Sequence, residues 1–246
     1  MHPISMRFLL ALLALAGLFS SAVQASTSEL YQASGMAQHQ QHFQAALASA
    51  QQRYGSQLPA AVRDTLVRNS SQRFELAAMH DRAQTRLALE LDDQQMQQAL
   101  TFFNSPLGQR IVAAETRASS PGGANTMQQG VPNMELSAER RALIERLAAR
   151  LPALEMGVEV STALTGLAAQ SANDLLGGLL GTAPAGDSGR ERLRQQMRPN
   201  LPNTLAYVYR DLDDAELTRF AEWAESDAGR AFYSAAERAV QDALNP

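Results

Sequence analysis

An all-α fold is the class this sequence predicts, on three observations. Ala, Leu, Gln, Glu and Arg dominate, while aromatic residues make up only 6% and β-branched ones are sparse, a balance that favours helices over sheets. Apolar residues recur at helical spacing through most of the chain. Two stretches repeat one another, each readable as a capped helix, a corner and a second helix. The expected architecture is two tandem small helical bundles from an internal duplication, after a signal peptide. Residues 1–25 are the signal, 26–118 the first repeat, 119–135 a linker and 136–246 the second repeat.

At the amino end, Arg7 precedes an uncharged apolar run from Phe8 to Phe19, followed by Ser20, Ser21 and Val23-Gln24-Ala25. A basic residue, a short apolar core and small residues at the cleavage positions are the pattern of a secretory signal peptide. A membrane anchor needs roughly 20 apolar residues, so cleavage after Ala25 is expected, leaving Ser26 first in a periplasmic protein. Met6 would serve equally well as the start. No later segment of the exported chain has the length and apolarity to span a membrane.

Of the 246 residues, 21 are basic and 25 acidic, a formal charge of −4, and every basic residue is arginine. Loss of Arg7 with the signal leaves 20 basic against 25 acidic residues, a balance of −5. That balance argues against nucleic acid as a partner, because such binding draws its affinity from cationic contacts to phosphate. The chain has no cysteine, which excludes disulfides, thiolate metal sites, cysteine nucleophiles and a lipid anchored through cysteine.

The elements follow in order. Leu30, Tyr31, Met36, Phe43, Leu47 and Ala50 form an apolar stripe in a helix that Gly55 ends. Leu58 to Phe74 and Leu76 to Leu91 supply two more. Asp92 with Gln95 fits the capping box that starts a helix, continued by Met96, Ala99 and Phe102. Proline breaks a helix interior but suits its first turn, so Ser105 reads as a new N-cap and Pro106 as the first residue of the next helix. Gly108 lies in that first turn, where a missing side chain lets the preceding helix approach.

Breakers fill the stretch from Ser119 to Asn133, including Pro121-Gly122-Gly123, and again from Gly177 to Gly189, and both read as linkers. After Ser137, a plausible cap, Leu143, Ile144, Leu147, Leu151 and Leu154 form another stripe. Val158 to Leu180 is weakly charged and reads as a buried helix ending in a glycine-rich loop, or else as a lipid-facing or partner-facing helix. Roughly four helices per half with short connections is an ordinary bundle layout.

An offset of 121 positions places Leu91-Asp92-Asp93 on Leu212-Asp213-Asp214, Ser105 on Ser226, Gly108 on Gly229, Ala114 on Ala235, and Arg117-Ala118 on Arg238-Ala239. Eight of 28 aligned residues are identical and no gap is needed. Met96 meets Leu217, Phe102 meets Trp223, Ile111 meets Phe232 and Val112 meets Tyr233. Asp213 with Glu216 repeats the capping box, and Ser226-Asp227 repeats the corner with aspartate in place of proline.

The stretch from Leu91-Asp92-Asp93 through Phe102-Phe103-Asn104-Ser105-Pro106-Leu107-Gly108-Gln109 resembles an exported bacterial family known as domain of unknown function twenty fifty-nine (DUF2059). An aromatic pair followed by Ser-Pro-x-Gly and a polar residue carries the resemblance over about 30 residues. In the second half Trp223-Ala224 replaces the aromatic pair. The resemblance implies a helical, periplasmic protein and supplies no catalytic residues.

Four groups bear on chemistry. His39 and His42, three apart on a helix, share a face and could grip a metal with His80 as a distant third ligand, but surrounding glutamines mark a solvated face. Gly186-Asp187-Ser188-Gly189 matches the letters around a trypsin-like nucleophile, yet sits in a loop of a helical protein. Asp211, Asp213, Asp214 and Glu216 lack the glycine and terminal glutamate of a calcium loop. Arg190, Arg192, Arg194 and Arg198 form the one local basic cluster and read as a solvated face, or else as a contact to anionic lipid, cell-wall polymer or an acidic partner.

No catalytic, cofactor-binding or metal-binding residue is therefore assigned, and no cofactor is expected. The leading expectation is a non-catalytic interaction or accessory protein of the cell envelope, whose partner is another envelope protein and which presents an exposed apolar groove between helices. The alternative is an envelope hydrolase using carboxylates that sequence spacing does not reveal. Carboxylates lining a pocket would separate the two.

Overall fold

The computed structural model describes residues 25–167 and 187–245, and the described chain is all-α, with no strand among the described residues. The expected signal, except Ala25, and most of the second glycine-rich stretch lie outside the described residues.

The first helix, α1, covers 25–33. The stripe predicted to run unbroken from Leu30 to Ala50 is interrupted at Gly35, whose φ of 76° is left-handed and ends a helical turn. Helix α2 (Met36–Gly55) begins there, followed by α3 (Ala60–Arg73) and α4 (Leu76–Glu90). The Glu75 carboxylate caps α4 by accepting from the Ala77 and Ala78 N–H groups at 3.1 and 2.7 Å. Helix α5 (Asp93–Phe103) opens with the expected capping box: Gln95 N–H donates to Asp92 at 2.7 Å, and Asp92 N–H to the Gln95 side chain at 3.0 Å. Helix α6 (Pro106–Ser119) follows the corner.

The stretch from Ser119 to Asn133, read as a linker for its breakers, contains helix α7 (Pro121–Gln129). Its breakers are themselves a start signal: Ser120 caps the helix and Pro121 takes the first position, where its missing N–H is not needed. Helix α8 (Ala138–Arg150) is capped by Ser137, which accepts from Arg140 N–H at 3.1 Å. Then come α9 (Ala153–Thr165), α10 (Asp187–Met197), a 3₁₀ turn (Arg198–Asn200), α11 (Leu201–Val208), α12 (Asp214–Glu225) and α13 (Asp227–Leu244). Helix α12 opens with the second capping box, Asp213 with Glu216.

The helices bury one continuous apolar core that draws on both sides of 119–135: Phe74, Leu87, Met96 and Phe103 pack in the same cluster as Ile144, Leu147, Phe220 and Phe232. The last helix is central to this arrangement. Helix α13 lies along α4 and also meets α5, α9 and α12, so a carboxy-terminal element completes the core of the amino-terminal half. Its small residues Ala235, Ala236, Ala239 and Ala243 are buried, which permits close helix approach. Arg82 on α4 fastens the end of α13 by donating to the Asp242 and Ala243 carbonyls at 3.0 and 2.8 Å.

Candidate functional site

Both predicted corners have the geometry expected of them. Ser105 accepts from Gly108 N–H and Ser226 from Gly229 N–H, each at 3.1 Å, while each hydroxyl donates back at 2.6 Å to the carbonyl three residues earlier, Phe102 and Trp223. A Cβ on Gly108 would lie 2.1 Å from the Phe102 carbonyl oxygen, and one on Gly229 2.0 Å from that of Trp223. Only glycine fits. Ser120-Pro121-Gly122-Gly123 is a third corner of the same kind, with Gly123 N–H 3.2 Å from Ser120 Oγ and a Cβ position 2.2 Å from the Arg117 carbonyl oxygen.

The two predicted corners also meet. Phe102 and Trp223, which correspond under the 121-residue offset, stack face to face with ring centroids 3.8 Å apart and planes inclined by 4°. Arg117 pairs with Asp211 at 2.8 Å, and Arg238 pairs with Glu90. Subtracting or adding 121 converts one ion pair into the other with the halves exchanged. The two ion pairs thus exchange under the same offset, with glutamate at position 90 where position 211 holds aspartate.

Where the corners meet, a groove of about 740 Å³ opens between helices. Phe102, Trp223 and Ala228 supply its apolar surface, Gln94, Gln97, Gln98 and Thr101 on α5 a neutral polar wall, and Asp227, paired with Arg230, a charge at its lining.

A second opening, a cleft of about 660 Å³, lies where α8, α9, the 3₁₀ turn and α13 converge. Leu151, Pro152, Leu201 and Tyr233 are among its apolar lining, and Arg150, Glu155, Arg198 and Glu237 among its polar groups. Two carboxylates thus line one pocket. The Arg194 guanidinium donates to Glu155 at 2.6–3.1 Å and holds its carboxyl below the usual range. Glu237 is pushed the other way, first by burial and then by the charge of Glu155. Nearby, mostly buried Glu159 accepts from Arg190 at 3.1 Å and from Asn245 at 3.2 Å.

Most of the remaining sequence candidates engage other groups of the fold. His39 and His42 share a face as predicted, but both aim Nδ1 at the Ser119 hydroxyl, each 2.8 Å away. His80 instead meets the Tyr31 ring edge-on, at 5.4 Å between centroids. Gly186 lies outside the described residues, and Asp187-Ser188-Gly189 opens α10. The four acids after Tyr209 are all engaged: Asp213 in the cap, Glu216 in the cap and with Arg110, Asp211 with Arg117, and Asp214 with Arg140 at 2.6 Å. Of the basic cluster, Arg190 and Arg194 serve Glu159 and Glu155, and Arg198 faces the cleft.

Sequence reasoning missed Glu115. This mostly buried carboxylate on α6 accepts from the Tyr209 hydroxyl at 2.6 Å, and burial pushes its pKa up to about 7. Its charge also acts on Tyr233, whose buried hydroxyl has no hydrogen-bond partner among the described residues.

Comparison with curated proteins and with solved structures finds no match in either. One family model does match, over the segment that holds α4 from Ala77, the capping box, the first corner, α6 and α7. Residues 77–135, with the aromatic pair and Ser105-Pro106-Leu107-Gly108 at their centre, match the family described as an uncharacterized protein conserved in bacteria (DUF2059).

Proposed function

We propose that the protein is exported to the periplasm and acts there as a non-catalytic interaction or accessory protein of the cell envelope. The groove floored by Phe102 and Trp223 supports this reading. It combines half-buried aromatic surface with amide side chains. Aromatic surface with neutral hydrogen-bonding groups suits an uncharged polypeptide segment of another envelope protein. The reciprocal contacts across the two corners support internal duplication as the origin of the groove.

The experiment is site-specific photo-crosslinking in cells, with the reactive side chain at Thr101 in the groove or at Arg68 on α3. A defined adduct with an envelope protein from Thr101 alone, on a chain whose intact mass begins at Ser26, is expected. An uncleaved cytosolic chain, or equal labelling from both positions, would overturn the reading.

One observation favours a hydrolase instead: Glu155 and Glu237 line the same cleft with pKa values driven apart, the arrangement general acid and base pairs use. Release of soluble fragments from envelope polymer by the wild type, abolished in Glu237→Gln and Glu155→Gln, would move the assignment to that class. No release by the wild type ends it.

A further inference from the structure

The cleft between α8, α9 and α13 holds positive charge that the fold does not use. Arg150 ends α8 and Arg198 opens the 3₁₀ turn, so two separate elements deliver guanidinium groups to one opening. Neither has a hydrogen-bonded or ion-paired partner among the described residues, whereas Arg146, Arg190, Arg194 and Arg238 close by are all paired. The carboxylates within their electrostatic reach are already taken. Arg198 acts on Glu155, which Arg194 holds at 2.6 Å, and Arg150 acts on Glu225, which Arg146 holds at 2.7 Å.

The walls beside these arginines are apolar: Leu151, Pro152, Leu154, Leu201 and Pro202. A volume of about 660 Å³ is in the range of sites for small organic ligands. Guanidinium groups match planar carboxylates and phosphate oxygens in a bidentate way, and the apolar walls would cover a hydrocarbon body.

We propose that this cleft binds a small amphiphilic anion, a phosphate or carboxylate group carried on an apolar body, with Arg150 and Arg198 gripping the anionic head. The site shares no lining residue with the Phe102–Trp223 groove and does not rest on the accessory-protein reading. The charge of Glu155 is matched by Arg194, so among the described residues two unpaired guanidinium groups face one carboxylate without an arginine partner, Glu237, and Ser234 adds a hydroxyl donor.

The test is calorimetric titration of the exported chain with octyl phosphate and with octanoate, using 1-octanol and octylammonium as neutral and cationic controls. Binding of the two anions, with neither control bound, is expected. The double variant Arg150→Gln/Arg198→Gln, both positions being exposed and outside the core, should keep its circular dichroism and lose at least tenfold in affinity. Sedimentation with phosphatidylglycerol vesicles then separates the sources. Co-sedimentation that depends on both arginines names a bilayer lipid, and its absence beside retained octyl phosphate binding names a free anion. Equal binding of 1-octanol, failure of both anions to bind, or unchanged affinity in a folded double variant would overturn the proposal.

Discussion

Glu115 and His39 carry opposite pH dependences of stability. Glu115 is raised from 4.5 to about 7 by burial, against the lowering effect of the Tyr209 hydroxyl. Its contribution is therefore fully present below pH 4.5 and is lost as pH rises towards 7. His39 is lowered from 6.5 to about 4, by burial and then by the charge of His42. Burial disfavours its protonated form, so its contribution is present above 6.5 and is lost as pH falls towards 4. Between pH 4.5 and 6.5 the two slopes oppose each other, and the wild type should change little. Urea unfolding at three pH values across this window should show stability rising with pH in Glu115→Gln and falling with pH in His39→Gln, each by up to about 1.4 kcal/mol per pH unit. Parallel behaviour of both variants and the wild type would refute this account. In the sequence Glu115 is one more acid on an amphipathic helix. Its partner Tyr209 lies 94 residues away, and no local pattern records the burial.

Three corners recur among the helices, and each is a serine cap with a glycine at its third helical position. Replacing Ser105 or Ser226 by alanine should cost about 0.5–2 kcal/mol through the lost cap. Even alanine at Gly108 or Gly229 should cost about 1–3 kcal/mol, because the added carbon meets a backbone carbonyl that cannot turn aside. Thermal unfolding of Ser105→Ala, Gly108→Ala, Ser226→Ala and Gly229→Ala makes the comparison. Similar losses at the two corners are expected, and a neutral glycine variant at either would count against close approach there. The corners at 105 and 226 were legible because the bonds that make them span three residues. The corner at 120 carries the same Ser-Pro-x-Gly letters, but the breaker-rich composition around it concealed a start signal. The break at Gly35 was hidden for a related reason: the apolar stripe runs through it on both sides.

At the scale of the molecule, the continuous core predicts one unfolding transition rather than one for each half. Trp223, the single tryptophan, stacks on Phe102 from the other half, so its fluorescence reports their contact. Denaturation followed by that fluorescence and by far-ultraviolet circular dichroism should coincide, and two separated midpoints would refute a shared core. A double-mutant cycle of Phe102→Ala and Trp223→Ala should give a coupling of about 0.5–1.5 kcal/mol, the range for aromatic pairs beyond their buried area. The sequence alone determined the helical class, the two capping boxes, the corners at 105 and 226, and helices α3, α4 and α8, because caps and apolar stripes arise from interactions within a turn or two of chain. Tertiary structure alone decided that α13 closes the core against α4, that Phe102 faces its own counterpart, that Glu115 is buried, and that Arg150 and Arg198 are left over at one cleft. Those outcomes depend on which residues meet across 90 to 160 positions of chain, a pairing that a one-dimensional pattern of caps and apolar spacings does not encode.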